Sequence, residues 1–136
     1  MAKLTKKRKI GNLGENLACR FLIKHGFDII ERNYLMKCGE IDIITKKEGV
    51  IHFVEVKTVS QETTSGVSDE TNNDGCFRPE DNLHPWKLKR IAKTIQIYLA
   101  QKDITYETNW VFDVITVYID KKRLISKINI IENVIM

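Results

Sequence analysis

Gly39-Glu40-Ile41-Asp42-Ile43 and, after a short polar interval, Ile51-His52-Phe53-Val54-Glu55-Val56-Lys57 are the stretches on which the fold turns. The second is short, rich in β-branched residues and bounded by polar sequence, which predicts a strand. Side chains two apart on a strand point the same way, so Glu55 and Lys57 share one face while Val54 and Val56 take the other. Glu40-Ile41-Asp42-Ile43 alternates as well, which puts Glu40 and Asp42 on one side and Ile41 and Ile43 on the opposite one. Thr45-Lys46-Lys47-Glu48-Gly49 has the composition of a hairpin turn, making the two strands antiparallel neighbours. Asp42 and Glu55 then stand side by side.

Adjacent carboxylates repel unless a cation lies between them, and hard oxygen donors with room for water suit Mg²⁺ or Mn²⁺. Lys57, one pleat further on, is placed to hold an attacking water or to offset charge developing on a phosphate. The same residues also spell a cross-strand ion pair on a solvated sheet face, and the motif alone leaves both readings open.

Outward from this hairpin, the chain begins with a basic run, Lys3 to Lys9, that either contacts phosphate or solubilises a frayed end. From about Ile10 to His25, apolar Ile10, Leu13, Leu17, Phe21 and Leu22 recur at helical spacing, and Gly26 supplies the stop. Gly11 and Gly14 inside that pattern predict a close backbone approach or a late helix start. Glu15 lies beside the apolar stripe, where it either turns inward to a strand edge or is an ordinary boundary residue. Phe27 to Leu35 reads as the first strand.

On the other side, Thr58 to Phe77 is almost devoid of apolar residues and too long for an ordinary connection, so it reads as a loop or insertion leaving directly from Lys57. A second helix is predicted from about Pro85 to Gln101, with Leu88, Ile91, Ala92, Ile95, Tyr98 and Leu99 as its buried stripe. Its polar side carries Lys87, Lys89, Arg90 and Lys93, which either track a phosphate backbone or form a solvated face. Trp86 either stacks on a base or staples the helix entry. Trp110 to Ile119 and Arg123 to Ile131 read as strands joined by a turn at Asp120-Lys121-Lys122.

The 136 residues predict one domain, 1–136, large enough to bury a core without staples, and 43% hydrophobic with 29% charged residues is the balance of a globule. No apolar run approaches the roughly 20 residues of a membrane span, and the basic start lacks a signal-peptide core, so a cytoplasmic protein is expected. Cys19, Cys38 and Cys76 are odd in number and lack C-x-x-C spacing, which argues against a disulfide framework and a zinc site. His25, His52 and His84 show no ligand spacing either. The net charge of +4 conceals an asymmetry, because Glu62, Asp69, Glu70, Asp74, Glu80 and Asp81 face only Arg78 within the polar acidic stretch at about 58–81. The remainder is more basic than the whole and attracts polyanions. Walker loops, G-x-G-x-x-G and Ser-His-Asp patterns are absent from the sequence.

Gly11-Asn12-Leu13-Gly14-Glu15, Arg32-Asn33-Tyr34, Gly39-Glu40-Ile41-Asp42 and Phe53-Val54-Glu55-Val56-Lys57-Thr58, in this order and spacing, resemble the YraN-like family of small bacterial proteins. That family is placed in the restriction-endonuclease-like PD-(D/E)xK nuclease superfamily. Pro79-Glu80, Lys87 and Phe112-Asp113-Val114 resemble its later motifs, so the likeness covers most of the chain. It implies an α/β fold with a restriction-endonuclease-like α-β-β-β-α-β core, a mixed central sheet flanked by helices. It also implies Asp42 and Glu55 as metal ligands for Mg²⁺ or Mn²⁺, Lys57 as the catalytic lysine, Glu15 as an additional acid at the metal or its waters, and Glu40 as an outer acid. Lys87 would lie near the catalytic face, with Lys89, Arg90 and Lys93 on nucleic acid, DNA in the first instance. Where the family commonly carries Arg, this chain has Val59 and Val111, which removes two phosphate contacts.

The expectation is thus a metal-dependent nuclease or resolvase-like phosphodiester hydrolase, with pairing of two protomers left open. Its rivals are a catalytically inactive nucleic-acid-binding module of the same fold and a protein-interaction domain acting through the acidic stretch.

Overall fold

A computed structural model describes residues 5–61, 84–105, 107–120, 122 and 125–134. Helix α1 (Lys6–Lys24) is followed by strands β1 (Asp28–Met36), β2 (Gly39–Lys47) and β3 (Val50–Gln61), helix α2 (Pro85–Gln101), and strands β4 (Trp110–Asp120) and β5 (Ile125–Ile131). The five strands form one sheet in the order β1-β2-β3-β4-β5. All neighbours are antiparallel except β3 and β4, which run parallel because α2 lies between them in the chain. This is a mixed α/β protein.

Adjacent residues of β3 show how the two layers form. Phe53 belongs to a core with Ile91, Ile95 and Tyr98 of α2, whereas Val54 belongs to a second core with Ala18, Cys19 and Leu22 of α1. Successive strand residues face opposite ways, so one helix covers each face. Tyr98 meets Tyr34 and Phe53 edge-on, filling the α2 side with aromatic area.

Three expectations are corrected. Helix α1 starts at Lys6, four residues before the apolar pattern, because the Thr5 hydroxyl accepts the Arg8 N–H at 3.0 Å and caps the end. The basic residues Lys6 to Lys9 are therefore its first turn, and no late start is needed. Leu13 is 45% exposed, since the line of contact runs through Gly14, Ala18, Cys19 and Leu22. Strand β3 continues past Lys57 to Gln61, because Thr58 to Gln61 extend the parallel ladder against Val117 to Asp120. Strand β3 is described to Gln61, and the rest of the predicted acidic loop lies outside the described residues.

The pleat also departs from simple alternation. Ile41 packs on the α2 side and Ile43 on the α1 side, although both were expected on one face. The β1–β2 ladder passes from Arg32↔Ile43 to Tyr34↔Ile41 with no pair at Asn33 and Asp42, and Asn33 has φ of 53°. A left-handed residue in one strand inverts the facing of the residues beyond it. Beyond β5 the chain clasps β4, where the Val134 N–H donates to the Phe112 carbonyl and the Asn133 N–H to the Asp113 carboxylate.

Candidate active site

The register of the motif strands is set by a two-residue turn. Lys47 pairs with Val50 across Glu48 and Gly49, whose φ angles of 52° and 81° are both positive, as a tight hairpin of this kind demands. The ladder runs from there to Ile43↔Val54 and stops. The next residues are Asp42 and Glu55. At that point the Asp42 carboxylate replaces the ladder, its Oδ2 accepting the Val56 N–H at 2.7 Å. The two strands fork around a carboxylate.

Asp42 is only 8% exposed. Burial first, then the charge of Glu55 and a hydrogen bond to its carboxyl, push the Asp42 carboxyl up to about 9, against the lowering effect of the Val56 N–H. The two side chains therefore meet across the fork. Lys87, near the start of α2, places its Nζ 2.7 Å from Glu55 Oε2. Lys87 thus stands beside the motif strands as the direct partner of Glu55.

Asp42 opens into a groove of about 510 Å³ between α1 and the distal half of β3, lined by Lys7, Ile10, Gly11, Glu15, Asp42, Val56, Lys57, Thr58 and Ser60. Gly14 makes the helix–strand approach possible, for a Cβ there would overlap the Thr58 hydroxyl. Glu15 is thereby set beside the fork, but its carboxylate lies 3.6 Å from Arg32 Nη2. Burial raises the Glu15 carboxyl, Arg32 opposes that rise, and the charge of Glu40 adds to it. Glu40 itself is exposed and acts only through charge. Among the described residues no third carboxylate, histidine or cysteine completes a three-ligand set.

The remaining expected residues are dispersed along α2. Lys89, Arg90 and Lys93 are exposed, and Arg90 Nε donates to the Cys38 carbonyl at 2.9 Å. Asp113 lies away from this groove; wholly buried, it bonds His52 Nδ1 at 2.6 Å and the Asn133 N–H at 2.8 Å. Its role is to hold the sheet. Sequence reasoning missed Lys7, Arg32 and Ser60 as neighbours of the site. For Arg32 a signal existed in the Arg32-Asn33-Tyr34 block; for Ser60 none did, because it depends on the unsuspected length of β3.

Two carboxylate groups at a forked strand pair, of which Asp42 lines the groove, give a donor set of hard oxygens beside space for water. That set fits a small divalent cation that keeps much of its hydration. The fold and site together define a mixed α/β protein in which buried Asp42 and half-buried Glu55 meet beside a groove lined by Lys7, Lys57 and Glu15. The chain belongs to the uncharacterised protein family UPF0102, whose family model matches residues 14–117. It is 39% identical over 127 residues to a UPF0102 protein of Caldicellulosiruptor bescii, covering 93% of this chain and 96% of the relative. A UPF0102 protein of Campylobacter fetus is 35% identical over 124 residues, covering 91% and 96%. One of Helicobacter pylori is 45% identical over 98 residues, covering 72% and 73%. The YraN-like kinship is thus established. No described helix is long and apolar enough to cross a membrane.

Proposed function

We propose that this protein is a Mg²⁺- or Mn²⁺-dependent nuclease of the restriction-endonuclease-like PD-(D/E)xK class. The observation that carries the reading is the meeting of Asp42 and Glu55 at the β2–β3 fork, beside the groove that Lys57 lines. The element order α-β-β-β-α-β, with a helix on each face of a mixed sheet, supports the same superfamily.

Charge supports it independently. Neither helix has an acidic residue in its first turn; Lys6, Lys7, Arg8 and Lys9 begin α1, and Lys87, Lys89 and Arg90 lie near the start of α2. Cations at the positive end of a helix dipole cost stability. Here both costs are placed beside the acid pair, with Lys7 in the groove and Lys87 on Glu55, where the summed field favours a phosphodiester backbone.

Asp42 and Glu55 would hold the ion, which when bound lowers the pKa of a neighbouring water and polarises a phosphoryl oxygen. Lys57 orients the attacking water and offsets charge developing on the phosphate. Glu15, steadied by Arg32, orders water at the groove wall. In-line attack at phosphorus forms the new P–O bond as the bond to the 3′ oxygen breaks, leaving a 5′-phosphate. Lys7 would hold the flanking phosphates, and Lys87, 2.7 Å from Glu55 Oε2, would have to give up that pairing for Glu55 to hold an ion.

Incubation of branched, single-stranded and duplex DNA with Mn²⁺ tests this. Cleavage by the wild type that Asp42→Ala abolishes is expected. A second reading, a binding module without catalysis, is favoured by the pairing of Glu15 with Arg32, which withholds a third ligand. Nucleic-acid binding with no metal-dependent cutting would establish it instead.

A further inference from the structure

Trp86 is 58% exposed, although it is one of the largest apolar side chains on the surface. On α2 it shares a face with Lys89, Arg90 and Lys93, three, four and seven residues on. All three cations are exposed, and the ion pairs among the described residues engage none of them. The Arg90 guanidinium lies over the indole at 5.8 Å, and it is kept there by its Nε bond to the Cys38 carbonyl. The His84 ring is parallel to the indole within 5°, but with centroids 6.4 Å apart it leaves the indole largely uncovered. The next residue along the chain is Lys87, whose ammonium is on Glu55.

These features do little for the fold. The buried stripe of α2 is Ile91, Thr94, Ile95 and Tyr98, and Trp86 has no place in it. Lysines and an arginine close to a helix N-terminus oppose the dipole. An exposed indole beside the Arg90 guanidinium, with Lys89 and Lys93 exposed on the same helix face and in no ion pair among the described residues, is instead suited to a ligand that is itself flat and attached to phosphate.

We propose that Trp86 is a stacking platform for an unpaired nucleobase, with Lys89, Arg90 and Lys93 holding the adjoining phosphates. The inference rests on the nucleic-acid reading above and narrows its substrate class. A base can lie on the indole only if it is free of a duplex stack, so the preferred substrate presents a single-stranded segment, a flap or a frayed junction close to the acid pair. Paired DNA would meet the same cations without using the indole.

The test reads binding without divalent ions, so it is independent of whether the fork cuts. Affinities of wild type, Trp86→Ala and Trp86→Phe are measured by fluorescence anisotropy for a short labelled oligothymidine, an abasic strand of equal length and a duplex. Wild type should prefer oligothymidine to the abasic strand by about tenfold, Trp86→Phe should keep most of that preference, and Trp86→Ala should lose it with duplex affinity unchanged. Equal affinity of the wild type for abasic and base-bearing strands, or a preference that survives Trp86→Ala, overturns the platform. Failure of Mn²⁺-dependent cleavage with this preference intact would overturn the nuclease reading alone.

Discussion

At Asp42, burial, the Glu55 carboxyl and the charge of Glu15 act together against one Val56 N–H. The folded protein therefore keeps a proton that the unfolded chain releases above the ordinary 3.8. The Asp42 contribution to stability is fully present below 3.8 and is lost as pH rises toward the raised folded value. Asp42→Asn retains the acceptor for Val56 and gains a donor toward Glu55. In the absence of divalent ions it should melt higher than wild type at mildly alkaline pH and show a flatter pH profile; identical profiles would contradict the raised carboxyl. Thr116 offers a simpler case. Its hydroxyl is buried with no partner among the described residues, so Thr116→Val should stabilise by about 1 kcal/mol in denaturant unfolding. The meeting of Asp42 with Glu55 was legible because a polar turn between two alternating strands pairs them antiparallel, although the expected turn, Thr45 to Gly49, shrinks to Glu48 and Gly49 because Thr45 to Lys47 pair within β2. The separation of Ile41 from Ile43 was not, because it depends on a left-handed Asn33 in another strand, which alternation within β2 does not record.

Among the elements, the seating of α1 on β3 decides where the groove lies. Gly14 permits that seating, and Gly14→Ala should cost about 1–3 kcal/mol by overpacking against Thr58, in part recovered by Thr58→Ala in the double variant. Chemical denaturation of the four proteins checks the coupling; additive losses would mean that the helix is held elsewhere. The glycine in the helical pattern was a readable signal of close approach. The true helix start was harder to see, since Thr5 caps a turn made wholly of cations, and charge ordinarily marks a tail. The length of β3 was hidden for a related reason: Thr58 to Gln61 lack the apolar character of an inner strand and are held by the parallel ladder to β4.

For the whole molecule, the two helices lie on opposite faces of the sheet, yet each brings one first-turn cation beside the fork, Lys7 in the groove that Asp42 lines and Lys87 on Glu55. Composition showed the excess of positive charge but not its convergence, which requires the parallel crossover through α2. Lys7→Ala should lower oligonucleotide affinity without changing base preference, and should reduce the salt slope of binding by about one. An unchanged slope would remove Lys7 from the phosphate path. The central claim is that Asp42 and Glu55 form one divalent-cation site, and calorimetric titration of Mn²⁺ into wild type, Asp42→Ala and Glu55→Gln tests it most directly. One saturable site in the wild type, weakened by more than about tenfold in each variant, is the expected result. Mn²⁺ binding of equal strength in all three proteins, or no binding in the wild type, would contradict the account.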